Sequence, residues 1–67
     1  MKSSYPLVEF KTQDGKPLTI WHDEASETFY AKVGTDGQPV MRQALLHKVI
    51  EAAQVCFGID VNNFRRI

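Results

Sequence analysis

The pattern of apolar and polar positions changes period near the middle of the chain. In the first half, "LVEFK" (7–11), "LTIWH" (18–22) and "FYAKV" (29–33) are rich in β-branched and aromatic residues and are separated by polar, turn-forming clusters. They read as three strands, and connections this short make sequential strands antiparallel neighbours. From Val40 the stretch "VMRQALLHKVIEAAQVCF" (40–57) runs for 18 residues without Gly or Pro at a helical period. It predicts one long helix.

The register between strands follows from which side chains must share a face. A two-residue turn at Asp14-Gly15 would set Phe10 opposite Thr19 and Glu9 opposite Ile20, mixing core and solvent residues on both faces. A three-residue loop, Gln13-Asp14-Gly15, with Gly15 in the left-handed bulge position, pairs Phe10 with Leu18 and Val8 with Ile20 instead. A four-residue loop over Glu24–Glu27 then sets Leu18 opposite Val33, Ile20 opposite Ala31 and Trp21 opposite Tyr30. One apolar face results.

In the second half, Asp36 or the following Gly can begin the helix cap, and Pro39 suits the first turn. Gly58 is the expected stop, in the left-handed conformation just past the last turn. At about 100° per residue, Met41, Leu45, Leu46, Val49, Ala53 and Cys56 belong to an apolar arc wider than one sheet can cover. His47 falls on the opposite side. The tail residues Ile59, Val61, Phe64 and Ile67 could fold back over the excess, or a second copy could pack there. The expected fold is a single α+β domain over residues 1–67: a three-stranded antiparallel meander packed on one long helix, with a short tail that has room for a short second helix.

The same register leaves Leu7, Trp21 and Tyr30 in one row on the sheet face turned away from the helix, with Glu9, Thr19 and Lys32 in the next row. Three large side chains together on an open sheet form a patch of the kind that marks an interaction site, although aromatic cross-strand pairs also stabilise exposed sheets without any partner. A protein surface, including a second copy of the chain, would bury Trp21 and Tyr30 at its centre. A single-stranded nucleic acid would stack bases on them, with Lys32 and Lys11 near the phosphates.

Composition constrains the choice. Sixty-seven residues with 43% hydrophobic and 24% charged side chains make an ordinary globular mixture, near the size where oligomerisation often supplies missing burial. Eight basic and eight acidic residues cancel, which removes the global attraction behind most non-specific nucleic-acid binding. The single Cys56 cannot form an internal disulfide, no apolar run is long enough to span a membrane, and the opening "MKSSYPLVEF" lacks the apolar stretch of a secretory signal. A reducing, cytoplasmic setting fits.

Residues 50–67 nevertheless resemble a helix-turn-helix unit. Ala53, Phe57, Ile59, Phe64 and Ile67 fall where that unit buries apolar side chains, and Gly58 falls at its turn. Asp60 would cap a second helix carrying Asn62, Arg65 and Arg66 outward, residue types able to reach base edges or phosphates. Against the pattern, Gln54 stands where the motif usually has Ala, and Val55 and Cys56 stand where its first helix is polar. Three antiparallel strands followed by a helix is also the layout of small DNA-binding modules such as the N-terminal domains of some integrases, a likeness of topology only.

Other chemistry is thinner. In "WHDE" (21–24), His22 and Asp23 diverge on a strand, and no further ligand spacing points to a metal. His47 and Cys56 lie on different sides of one helix, and Cys56 reads as a small buried hydrophobe. The expectation is therefore a non-enzymatic binding protein without metal, cofactor, small-molecule substrate or membrane attachment. It contacts a protein partner or itself as a homodimer through Leu7, Trp21, Tyr30 and Lys32. The alternative is DNA or RNA binding through Asn62, Arg65 and Arg66 or by base stacking on the sheet.

Overall fold

The computed structural model describes residues 3–34 and 37–67. The suggested cap at Asp36 lies outside them. Among the described residues the chain is α+β: β1 (Ser4–Lys11), β2 (Pro17–Asp23), β3 (Thr28–Val33), β4 (Val40–Gln43), α1 (Leu46–Phe57) and β5 (Phe64–Arg66). The strands form one five-stranded antiparallel sheet in the order β4-β3-β2-β1-β5. Strands β1 to β4 make a meander. Helix α1 packs over β3 and β4, and the chain then returns to add β5 on the far side of β1.

The register expected for the first three strands is observed. Phe10 pairs with Leu18, Val8 with Ile20, Leu18 with Val33, Ile20 with Ala31 and Trp21 with Tyr30. The first hairpin closes as the side-chain pattern requires. The Gly15 N–H donates to Thr12 O at 2.9 Å and the Thr12 N–H to Lys16 O at 2.8 Å, with Gly15 at φ +83°. This loop length keeps Phe10, Leu18 and Ile20 on one side, as a two-residue turn would not, and there they meet Ala31, Val49, Ala53 and Ile59 in the core. Leu18, Ile20 and Val49 are completely buried, each contributing roughly 1.5–3 kcal/mol.

The sheet has two strands more than expected, and the helix is shorter. Val40 pairs with Ala31 and Gln43 with Phe29, across a bulge in which Met41 takes φ +58°. A left-handed residue there rules out a helix through 40–43. The bulge lets Met41 pack on the core while Arg42 turns to the opposite face. Helix α1 starts after Leu45, which is extended and makes no side-chain cap. At its other end Gly58 has φ +66° and donates to Gln54 O at 3.1 Å, as expected. The Gln13 N–H of the first hairpin donates to Phe57 O at 3.1 Å, so the hairpin loop satisfies a carbonyl of the last helical turn.

The tail contains no second helix. Asp60 accepts the Asn62 N–H at 3.0 Å through its own carboxylate, forming a local turn, and residues 64–66 then pair with Phe10, Glu9 and Val8. The helix-turn-helix reading of 50–67 fails on this point. Ile59 does return to the core and Val61 packs beside it, whereas Phe64 and Ile67 stay half or more exposed. Cys56 is also exposed, against expectation: it lies on the same side of α1 as Val49 and Ala53 but in the last turn, one residue before the helix ends at Phe57.

Candidate protein-contact face

The outer sheet face is built by alternation. With Leu18 and Ile20 in the core, Thr19 and Trp21 must point away from the helix, and pairing carries Glu9, Lys32 and Tyr30 with them. Trp21 and Tyr30 lie parallel, with ring centroids 6.4 Å apart and 5° between planes. The Lys32 ammonium sits 5.0 Å from the indole centroid and 5.9 Å from the phenol ring, and the Arg42 guanidinium lies 4.8 Å from Tyr30. Tyr30 is thereby reduced to 5% exposure, while Trp21 remains partly open. The indole is the accessible member of this stack.

Leu7 is not part of the row. The β1–β2 ladder shifts between Pro6 and Val8, so that Pro6 opposes Trp21 and Leu7 occupies the bulge. Leu7 lines an apolar groove on the helix side together with Val8 and Ile50. The extra residue reverses the facing that strict alternation assigns to it.

Arg42 closes the stack and ties three elements together. Its Nη1 donates to Asp23 Oδ2 at 3.0 Å, Thr28 Oγ1 at 2.7 Å and Ser26 Oγ at 3.2 Å. The bond from Arg42 holds the Asp23 carboxyl below its ordinary value against the opposing effect of desolvation, with further help from Ser26 and the Ala25 N–H. Sequence reasoning missed Arg42 by placing it on the helix. Pro39-Val40, a proline before a β-branched residue, was the available sign of an edge strand. His22 and Asp23 diverge as anticipated: His22 Nδ1 lies 3.0 Å from the Tyr5 hydroxyl, away from Arg42.

Beside Trp21 the face dips into a hollow of about 370 Å³ lined by Glu9, Pro17, Thr19, Trp21, Lys32 and Gly34. By register, Lys11, Lys32, Arg42 and Arg65 stand on this face with Glu9 and Asp23 as its acidic residues. The face is therefore locally basic although the chain is neutral. The three residues grouped as a nucleic-acid set do not come together. Asn62 is exposed in the turn before β5, Arg65 pairs with Glu9 on the outer face, and Arg66 lines the helix-side groove.

Among the described residues no group of three or more His, Cys, Asp or Glu side chains converges as a metal site, and no helix is long and apolar enough to cross a membrane. The chain matches no protein-family model, no curated protein and no solved structure.

Proposed function

We propose that the protein is a small non-enzymatic binding module that takes an acidic protein partner on its outer sheet face, with Trp21 as anchor and Lys32 beside it. The observation that carries this reading is the partly open indole, fixed parallel to a buried tyrosine and bordering a hollow. A ring already immobilised loses little freedom on binding, and tryptophan is enriched at interface centres. The basic face favours a partner bearing carboxylates over a second copy of itself, which would set like charges against each other. The same cations support a second reading, stacking of single-stranded bases on Trp21 with Lys32 and Arg65 near the phosphates.

Selection from a random peptide display library tests the proposal. Peptides enriched on the wild type should carry Asp or Glu and bind at least about tenfold more weakly to Lys32→Glu and Trp21→Ala, each checked for folding by circular dichroism. Selection of no peptide, or of peptides indifferent to both changes, would overturn it. Salt-sensitive binding of an oligothymidine, lost in the same variants, would favour the second reading.

A further inference from the structure

Glu9 is shared by two hollows. One is the hollow of about 370 Å³ beside Trp21 and Lys32, and the other, of about 210 Å³, has Lys11, Asn63 and Arg65 among its lining residues. The ladders place Lys32 opposite Thr19, Thr19 opposite Glu9 and Glu9 opposite Arg65, so a single row of outer-face side chains crosses β3, β2, β1 and β5. Along that row the groups run cation, hydroxyl, carboxylate, cation. Three strand spacings of about 4.8 Å put the two cations some 14 Å apart. Glu9 and Arg65 stand directly opposite in the ladder but make no ion pair with each other, so the guanidinium remains available to a ligand.

We infer that the partner lays an extended segment across these strands, with acidic side chains at positions i and i+4 and a basic one at i+2. The inference rests on the outer face being the site of an acidic protein partner. An extended chain advances about 3.3 Å per residue, so four residues cover about 13 Å, and an even spacing keeps both acids on the side turned to the sheet. Charge complementarity sets the rest of the pattern. The first carboxylate meets Lys32 in the hollow beside the indole, and the second meets Arg65 with Lys11 in the same hollow. The residue midway stands over Thr19 and Glu9, where a third acid would face a carboxylate. The pattern is the same read in either direction, so it holds whichever way the segment runs.

A helical segment suits the row less. Its i and i+4 positions are only about 6 Å apart. Its backbone groups are already paired, whereas an extended backbone brings N–H and C=O groups that need partners, and Glu9 and Thr19 supply an acceptor and a hydroxyl between the two cations.

Three capped heptapeptides test this. Val-Glu-Thr-Lys-Thr-Glu-Val carries the pattern, Val-Glu-Lys-Thr-Glu-Thr-Val has the same composition with its acids three apart, and Val-Glu-Thr-Glu-Thr-Glu-Val puts an acid at the centre. Trp21 is the sole tryptophan of the chain, so its emission follows each titration. The first peptide should bind at least about threefold more tightly than the second, the effect of one exposed ion pair, and no less tightly than the third despite its smaller negative charge. Arg65→Gln should abolish the preference for the four-residue spacing, and Glu9→Gln should turn the central preference from lysine to glutamate. Binding of all three peptides in order of their negative charge overturns the inference and leaves the acidic-partner reading standing, as does a spacing preference that survives Arg65→Gln. Failure of every acidic peptide to bind at millimolar concentration overturns both.

Discussion

Replacing Trp21 by alanine is the most informative perturbation because the indole is held on one side by Tyr30 and left open on the other. Losing the stacked pair costs about 0.5–1.5 kcal/mol, and losing an exposed cation–π contact about 0.5–1 kcal/mol. The strip of ring covered by Tyr30, on the order of 50 Å², adds about 1 kcal/mol. The whole effect is about 2–3 kcal/mol. A domain of this length has roughly 3–10 kcal/mol to lose, so over all but the lowest part of that range Trp21→Ala stays folded at low temperature, with Tm lowered by some 10–20 °C. Binding assays on it therefore belong near 10 °C. Trp21→Phe keeps a ring over Tyr30 and should cost about 1 kcal/mol or less. Urea unfolding followed by far-ultraviolet circular dichroism measures both. A double-mutant cycle with Lys32→Met should recover a coupling of about 0.5–1 kcal/mol that shrinks with salt. A cost below about 0.5 kcal/mol for Trp21→Ala, or zero coupling at low salt, would mean that the stack does not form in solution.

Three further expectations concern the supports of the fold. Gly58→Ala should destabilise by about 1–2 kcal/mol in urea unfolding, since the left-handed φ of +66° disfavours a Cβ and that atom would meet Gln13 Oε1 at 3.0 Å. Glu27→Gly should stabilise by about 0.5 kcal/mol, because Glu27 holds φ +55° on an exposed turn and glycine removes that strain at some entropic cost. Asp23 titrates lower in the folded chain than in the unfolded one, so the contribution of its bond to Arg42 is complete above 3.8 and disappears as pH falls through the folded value. Amide resonances of β4 and of the turn at Glu24–Glu27 should therefore shift as pH falls through that value, and Arg42→Met should bring the carboxyl midpoint back up toward 3.8.

The meander was legible because its register has a single solution once facing is imposed. An even-length first loop would put Phe10 and Val8 on the face opposite Leu18 and Ile20, and the ladders follow the three-residue solution. What escaped was structure specified by tertiary pairing. Val40 to Gln43 contain nothing that interrupts a helical period, and they become a strand because β3 offers an open edge and Met41 accepts a left-handed backbone. Phe64 to Arg66 are too short to show any period, and β1 recruits them. The contact row was legible at Trp21, Tyr30 and Lys32, whose places follow from alternation. It failed at Leu7, where a bulge breaks the alternation on which the argument depends.

The division of chemistry between the two sides of the sheet follows from these same departures. Recruiting β4 brings Arg42 over Tyr30, which buries the phenol, leaves only the indole open and raises the positive charge of the outer face. Recruiting β5 extends the inner face beyond the reach of α1 and opens the apolar groove, and the bulge delivers Leu7 to that groove. Contacts on the outer face should then weaken steeply with salt. Peptide binding to the outer face that does not change with salt would show that its cations take no part in the contact.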